Sequence, residues 1–184
     1  MSATQVRPRD SEAGFSLVET VIAMGILATG LLSMAGVFVL GMGHLAASSA
    51  NLIAREKARE AIESVHTARD TRVITWGQIR NVSNGGVFVN DPQPLRNPGP
   101  DGLVNTADDV GTEETLGPGP DNVLGNSDDV HIPLSGYTRQ IAISELLTNG
   151  VANTTLRQLQ VTVTYTVGRL QRSYTLTTYI SSIS

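Results

Sequence analysis

The chain has 184 residues and a formal net charge of -4 with a pI near 5.3, so a broad basic surface for nucleic acid is not indicated. It has no cysteine, which excludes a disulfide framework, a thiolate zinc site and a cysteine nucleophile. Its three histidines, His44, His66 and His131, are scattered without metalloprotease spacing, and no motif joins Ser, His and Asp into a catalytic arrangement. An enzyme is therefore not expected.

Residues 1–14 carry Arg7, Arg9, Asp10 and Glu12 and end at Gly14. The segment Gly14-Phe15-Ser16-Leu17-Val18-Glu19 then opens a long apolar run, and residues 21–45 contain no Asp, Glu, Lys or Arg. As a helix that run spans roughly 37 Å, enough for a hydrocarbon core of about 30 Å. It is too long for a secretory h-region and has no A-x-A cleavage site after it. A plain signal anchor accounts for the length but not for Glu19, a charge at the head of a membrane-length stretch. Arginines flank the run on both sides, so the charge count does not orient it. Gly25, Gly30, Gly36, Gly41 and Gly43 lie within it. They read either as ordinary membrane-helix glycines or as positions permitting local melting or close helix packing.

Residues 46–72 read as an amphipathic continuation of the same helix. Ala54, Ala58, Ala61, Ile62 and Val65 share one face. Arg55, Glu56, Lys57, Arg59, Glu60 and Glu63 form a solvated charged face. Residues 73–90 are a connecting segment, with Trp76 and Ile79 as anchors and a short strand expected around Val82 and residues 87–89.

Residues 91–133 are expected to form a loop without regular structure, holding seven of the eight prolines. A direct repeat at a spacing of 20 runs through it, from Pro98-Gly99-Pro100-Asp101 to Asp108-Asp109-Val110 and from Pro118-Gly119-Pro120-Asp121 to Asp128-Asp129-Val130, with seven of thirteen positions identical. Two copies are too few for a solenoid. A hard cation such as Ca²⁺ takes six to eight oxygens from a turning chain. Asp101, Asn105, Asp108 and Asp109 in the first copy, and Asp121, Asn126, Asp128 and Asp129 in the second, are the candidate structural calcium ligands. The spacing is not that of an EF-hand, though the units resemble GPDG-type calcium loops of exported bacterial proteins. A solvated acidic insertion is the competing reading.

Residues 134–184 read as an antiparallel sheet. Strands are expected over residues 137–147, 159–167 and 170–180, with turns at Asn149-Gly150 and Gly168-Arg169, the latter of type II′. Each strand has one apolar face, which calls for a single covering layer, the amphipathic helix half. The fold class is α+β.

The residues Gly14 to Glu19 resemble the prepilin cleavage and methylation site, and the helix–connector–sheet order is similar to that of type IV pilins and type II secretion pseudopilins. Residues 26–32 are most similar to minor pilins of the PilV kind. The resemblance implies that prepilin peptidase cuts between Gly14 and Phe15 and that the new Phe15 amine is methylated. It implies that Glu19 pairs with the Phe15 amine of a neighbouring subunit. It also implies a single pass through the bacterial inner membrane, a periplasmic C-terminal domain, and assembly with other pilin or pseudopilin subunits. The alternative is a single-pass membrane protein with an external calcium-binding domain that never assembles.

Overall fold

A computed structural model describes residues 16–182. The chain divides into two units, Met1–His44 and Leu45–Ser184. One helix, α1 (Leu17–Asp70), begins in the first and ends in the second. Two short 3₁₀ turns follow, Trp76–Gln78 and Val82–Asn84. Six strands complete the order: β1 (Gln93–Pro94), β2 (Glu114–Gly117), β3 (Val130–Pro133), β4 (Tyr137–Thr148), β5 (Val151–Val167) and β6 (Leu170–Ser181). The chain is thus a long N-terminal helix with a C-terminal antiparallel sheet, the α+β class expected.

In the first unit every residue from 16 to 44 is exposed. The polar groups inside this apolar stretch are satisfied within the helix. Thr29 Oγ1 donates to Ile26 O and Ser33 Oγ to Thr29 O, both at 2.8 Å, as a helix in an apolar medium requires. A Cβ placed on any of its five glycines meets nothing within 4 Å. None of them is therefore required by contacts within the chain.

The second unit holds the core. Ala54, Ala58, Ala61, Val65 and Ala68 of α1 are buried at steps of four and three, one helical face. They cluster with Ile141 and Ile143 of β4, Leu159, Val161, Val163 and Tyr165 of β5, and Ile180 of β6. Ile62, expected on this face, is only partly buried and flanks the cluster. The predominance of alanine on the helical side lets the backbone approach the sheet, while the β-branched side chains supply the bulk.

The sheet order is β1-β4-β5-β6, antiparallel throughout. Asn149 and Gly150, both with positive φ (54° and 80°), link β4 to β5, as a type I′ turn requires. Between β5 and β6, Gly168 has φ 63° and Arg169 is not in the positive-φ region, which agrees with the expected type II′ turn. β5 starts at Val151, eight residues before its expected onset. Residues 151–158 lack the alternation that marks a half-buried strand, and pairing with β4 and β6 extends it regardless.

Two expectations are corrected. Residues 82 and 87–89 do not form a strand: Val82–Asn84 is a 3₁₀ turn, and only an isolated parallel bridge joins Asn81 to Phe88. Nor is the stretch 91–133 without strands, since β1, β2 and β3 lie in it. Each of these is four residues or shorter, too brief to show a period.

Asparagine side chains complete the outer edge of β4, because β1 pairs only with Thr138 and Arg139. Asn81, 6 % exposed, donates from Nδ2 to Ile141 O at 2.7 Å and accepts at Oδ1 from Ile143 N at 2.8 Å. Asn105 Nδ2 donates to Arg139 O at 3.1 Å. A side-chain amide has the same donor and acceptor as a peptide, so each asparagine stands in for a missing strand residue. Asn81→Ala leaves a buried N–H and C=O of β4 without partners. The expected cost is about 2 kcal/mol, read as a lower denaturation midpoint with an unchanged m-value.

Candidate functional site: the N-terminal segment and the acidic repeat

Gly14 and Phe15, the expected processing site, lie outside the described residues. Glu19 sits in the first turn of α1 and is exposed. Ser16 Oγ accepts from Glu19 N at 3.2 Å, which makes Ser16 the helix N-cap. Ser16-x-x-Glu19 is the pattern of a capping box, and an acid in the first turn complements the helix dipole. The place of Glu19 in the first turn adds a dipole-complementing position to the pairing that the resemblance implies for it. The sequence signal for that position was the serine three residues earlier. Among the described residues, α1 is the one helix long and apolar enough to cross a membrane.

The two repeat copies adopt the same backbone. In each, the leading Asp closes a turn: Asp101 Oδ1 accepts from Leu103 N at 2.8 Å, and Asp121 Oδ1 from Val123 N at 2.9 Å. The last Asp closes another: Asp109 Oδ2 accepts from Asn105 N, and Asp129 Oδ2 from Gly125 N, both at 2.7 Å. The glycine of Pro-Gly-Pro is required by close approach. A Cβ on Gly99 would stand 2.2 Å from Asp108 Oδ2, and one on Gly119 2.2 Å from Asp128 O. Even the mismatches are equivalent. Gly102 and Asn122 share one left-handed position (φ 69° and 60°), and Asn105 and Gly125 share another (φ 65° and 96°). Gly and Asn are the residues that tolerate it. The bases match as well, Asn97 bridging Val110 as Gly117 pairs with Val130.

Their surroundings differ. The first copy is built into the core, with Leu103 at 0 % and Val104 at 1 % exposure. Asn105 Oδ1 accepts from Arg139 Nε at 3.2 Å, and Arg139 Nη2 donates to Glu113 Oε1 at 3.0 Å. Lys57 of α1 stands 2.7 Å from Glu113 Oε2, a charge contact not aligned as a hydrogen bond, and 2.8 Å from Glu60. Arg139 and Glu113 are buried, so this network ties the first copy to both the helix and the sheet. Burial lowers the Lys57 pKa, but the contacts with Glu113 and Glu60 outweigh it and leave the ammonium above its ordinary range. Burial raises the Asp109 carboxyl, against the opposing pull of Thr106, Asn105 and Arg139. The second copy, at the tip of the β2–β3 hairpin, is exposed almost throughout.

Among the described residues, no three His, Asp or Glu side chains group so as to hold a metal. Asp101, Asp109, Asp121 and Asp129 cap turns, and the Asn105 amide faces Arg139 rather than the loop interior. Asp108 and Thr106 pair at 2.7 Å, and Asn126 Nδ2 donates to Asp121 Oδ2 at 2.6 Å. Asp128 lies over Gly119. One atom stands apart: Asp129 Oδ1 is buried without a hydrogen-bond partner. In the first copy the Thr106 hydroxyl lies 2.9 Å from the equivalent Asp109 Oδ1, and Asn126 replaces that threonine in the second.

No curated protein and no solved structure matches this chain. Residues 9–35 match the family model described as the prokaryotic N-terminal methylation motif. That stretch covers Gly14, Phe15 and Glu19 and runs into the apolar part of α1, so the chain carries the prepilin signal of type IV pilins and pseudopilins.

Proposed function

We propose that this protein is a structural subunit, a minor one, of a type IV pilus or a type II secretion pseudopilus, without catalytic activity of its own. The observation that carries the reading is the methylation motif at residues 9–35 leading into a helix whose residues 16–44 are all exposed and mostly apolar. Such a surface needs a cover, first the bilayer and then the helices of neighbouring subunits. In this reading prepilin peptidase removes residues 1–14, the Phe15 amine is methylated, and the C-terminal domain is held in the periplasm by a single pass through the inner membrane. Intact mass of the protein from cells containing the peptidase tests it. A chain starting at Phe15 with one added methyl supports it; a chain retaining residues 1–14 overturns it and leaves the non-assembling membrane protein.

As a second reading, we propose that the acidic repeat takes up Ca²⁺ as a structural ion. Asp129 Oδ1, buried without a donor, favours it, since an unpaired carboxylate oxygen is costly and a cation relieves it. Asp121, Asn126 and Asp128 of the same copy are the nearest further ligands in sequence, and they would have to turn inward from their present contacts. Millimolar Ca²⁺ is expected to raise the melting temperature and EGTA to reverse the rise. An unchanged melting temperature removes this reading.

A further inference from the structure

The two copies of the repeat share a fold but not a fate. The apolar pair of the first, Leu103-Val104, is buried in the chain's own core. The matching pair of the second, Val123-Leu124, is 56 % and 59 % exposed. The stem beneath it exposes Leu116, Val130 and Ile132. A two-stranded ribbon with four-residue strands is marginal by itself, and an exposed apolar tip on it marks a contact surface. We propose that the second copy docks in trans, inserting Val123-Leu124 into a second copy of this chain.

Charge selects the acceptor. Residues 114–133 contain Glu114, Asp121, Asp128 and Asp129 and no Lys or Arg. The first copy meets a cation of its own chain, Arg139 Nε donating to Asn105 Oδ1 at 3.2 Å. An apolar groove of about 450 Å³ between α1 and β6 is lined by Leu52, Arg55, Arg59, Tyr174 and Leu176, with Glu56 its one acid; Arg59 also pairs with Glu63 at 2.9 Å. Arg55 lies over the Tyr174 ring at 5.6 Å, and strand alternation puts Arg172 on the Tyr174 face. Another groove with an apolar lining, beside Ala68, Val73 and Val104, is rimmed by Glu60, Glu63 and Asp101 and repels the hairpin. The hairpin leaves the sheet on the β1 side, where Glu113 N donates to Leu95 O, whereas the favoured groove lies at the β6 edge. Tip and groove are different surfaces, so the contact is heterologous. The inference rests on the subunit reading only in needing copies side by side.

Because the natural chain has no cysteine, disulfide trapping tests it in the full-length protein in membranes. One tagged chain carries Leu124→Cys and a second, differently tagged chain carries Leu52→Cys. Oxidation is expected to yield a mixed dimer about tenfold above a control in which Thr177→Cys, on the outer face of β6, replaces Leu52→Cys. Adding Arg55→Glu and Arg59→Glu is expected to cut the yield about tenfold, and Asp128→Arg on the first chain to recover part of it. A yield equal to the control, or Leu124→Cys trapped only on a different protein, overturns the proposal. A processed chain without the crosslink leaves the pilin reading standing and removes the docking. A crosslink between chains that retain residues 1–14 does the reverse.

Discussion

Glu113→Ala is expected to lower the melting temperature by roughly 10 °C, the equivalent of about 3–5 kcal/mol. Glu113 is 3 % exposed and Arg139 fully buried. Removing the carboxylate strands the guanidinium, whose Nη1 already lacks a hydrogen-bond partner, and deprives Lys57 of one of its two acids. Breaking a buried pair costs more than the pair contributes, because one charge remains desolvated and unpaired. A compensating double variant, Glu113→Leu with Arg139→Met, is therefore expected to recover much of the loss. The alanine variant also removes one of the two acids that raise Lys57. The folded Lys57 value lies above the unfolded one. Its contribution is therefore complete below the ordinary lysine range and is lost as pH rises through the folded value. The stability gap between wild type and Glu113→Ala should narrow only at strongly alkaline pH. Thermal unfolding followed by circular dichroism at neutral and alkaline pH checks both statements. A shift under about 3 °C at neutral pH would mean that the network is not what holds the first repeat copy.

Glu19→Ala is expected to leave membrane insertion intact and to cut incorporation into filaments by about a hundredfold. Two roles for this residue make different predictions. As a first-turn acid behind the Ser16 cap it contributes modestly to the start of α1, and its loss would fray one turn. As the partner of a neighbour's Phe15 amine it neutralises a charge inside the filament, and its loss leaves that amine buried alone, a penalty large enough for the stated factor. Quantifying sheared filaments against membrane-bound chain separates the two. Incorporation within about twofold of wild type reduces Glu19 to a capping residue.

Much of the fold was legible because its signals are periodic. The alanine face of α1, the alternation of residues 159–167 and 170–180, and the turns at Asn149-Gly150 and Gly168-Arg169 each carry a local code that the tertiary structure keeps. The acidic stretch was less legible for a different reason. Its identities were counted letter by letter, so Gly102 against Asn122 and Asn105 against Gly125 counted as mismatches. Scored by the left-handed backbone they share, they are matches. Burial escaped as well. Leu103-Val104 sits among Pro, Gly and Asp, a composition that reads as solvated loop, yet it belongs to the core. No local pattern marks Arg139 and Glu113 as partners 26 residues apart, or Asn81 as a substitute for a strand 60 residues away. At the processing site the order is reversed. Gly14 and Phe15 lie outside the described residues, and there the motif matched over residues 9–35 carries the reading.

The asparagine-completed edge of β4 carries a consequence for crowding. Along residues 139–143 its outward carbonyls and amide are already spoken for, so no foreign strand can register there. On β6, Arg69 Nη1 donates to Ser181 O at 3.0 Å, at the end of the strand. Strand addition is left to the remaining edges, β6 among them, where Arg169 and Arg172 stand at the hairpin end. At high local density, edge-to-edge pairing is thus blocked over that stretch of β4 by side chains and opposed at the β5–β6 hairpin end by like charges.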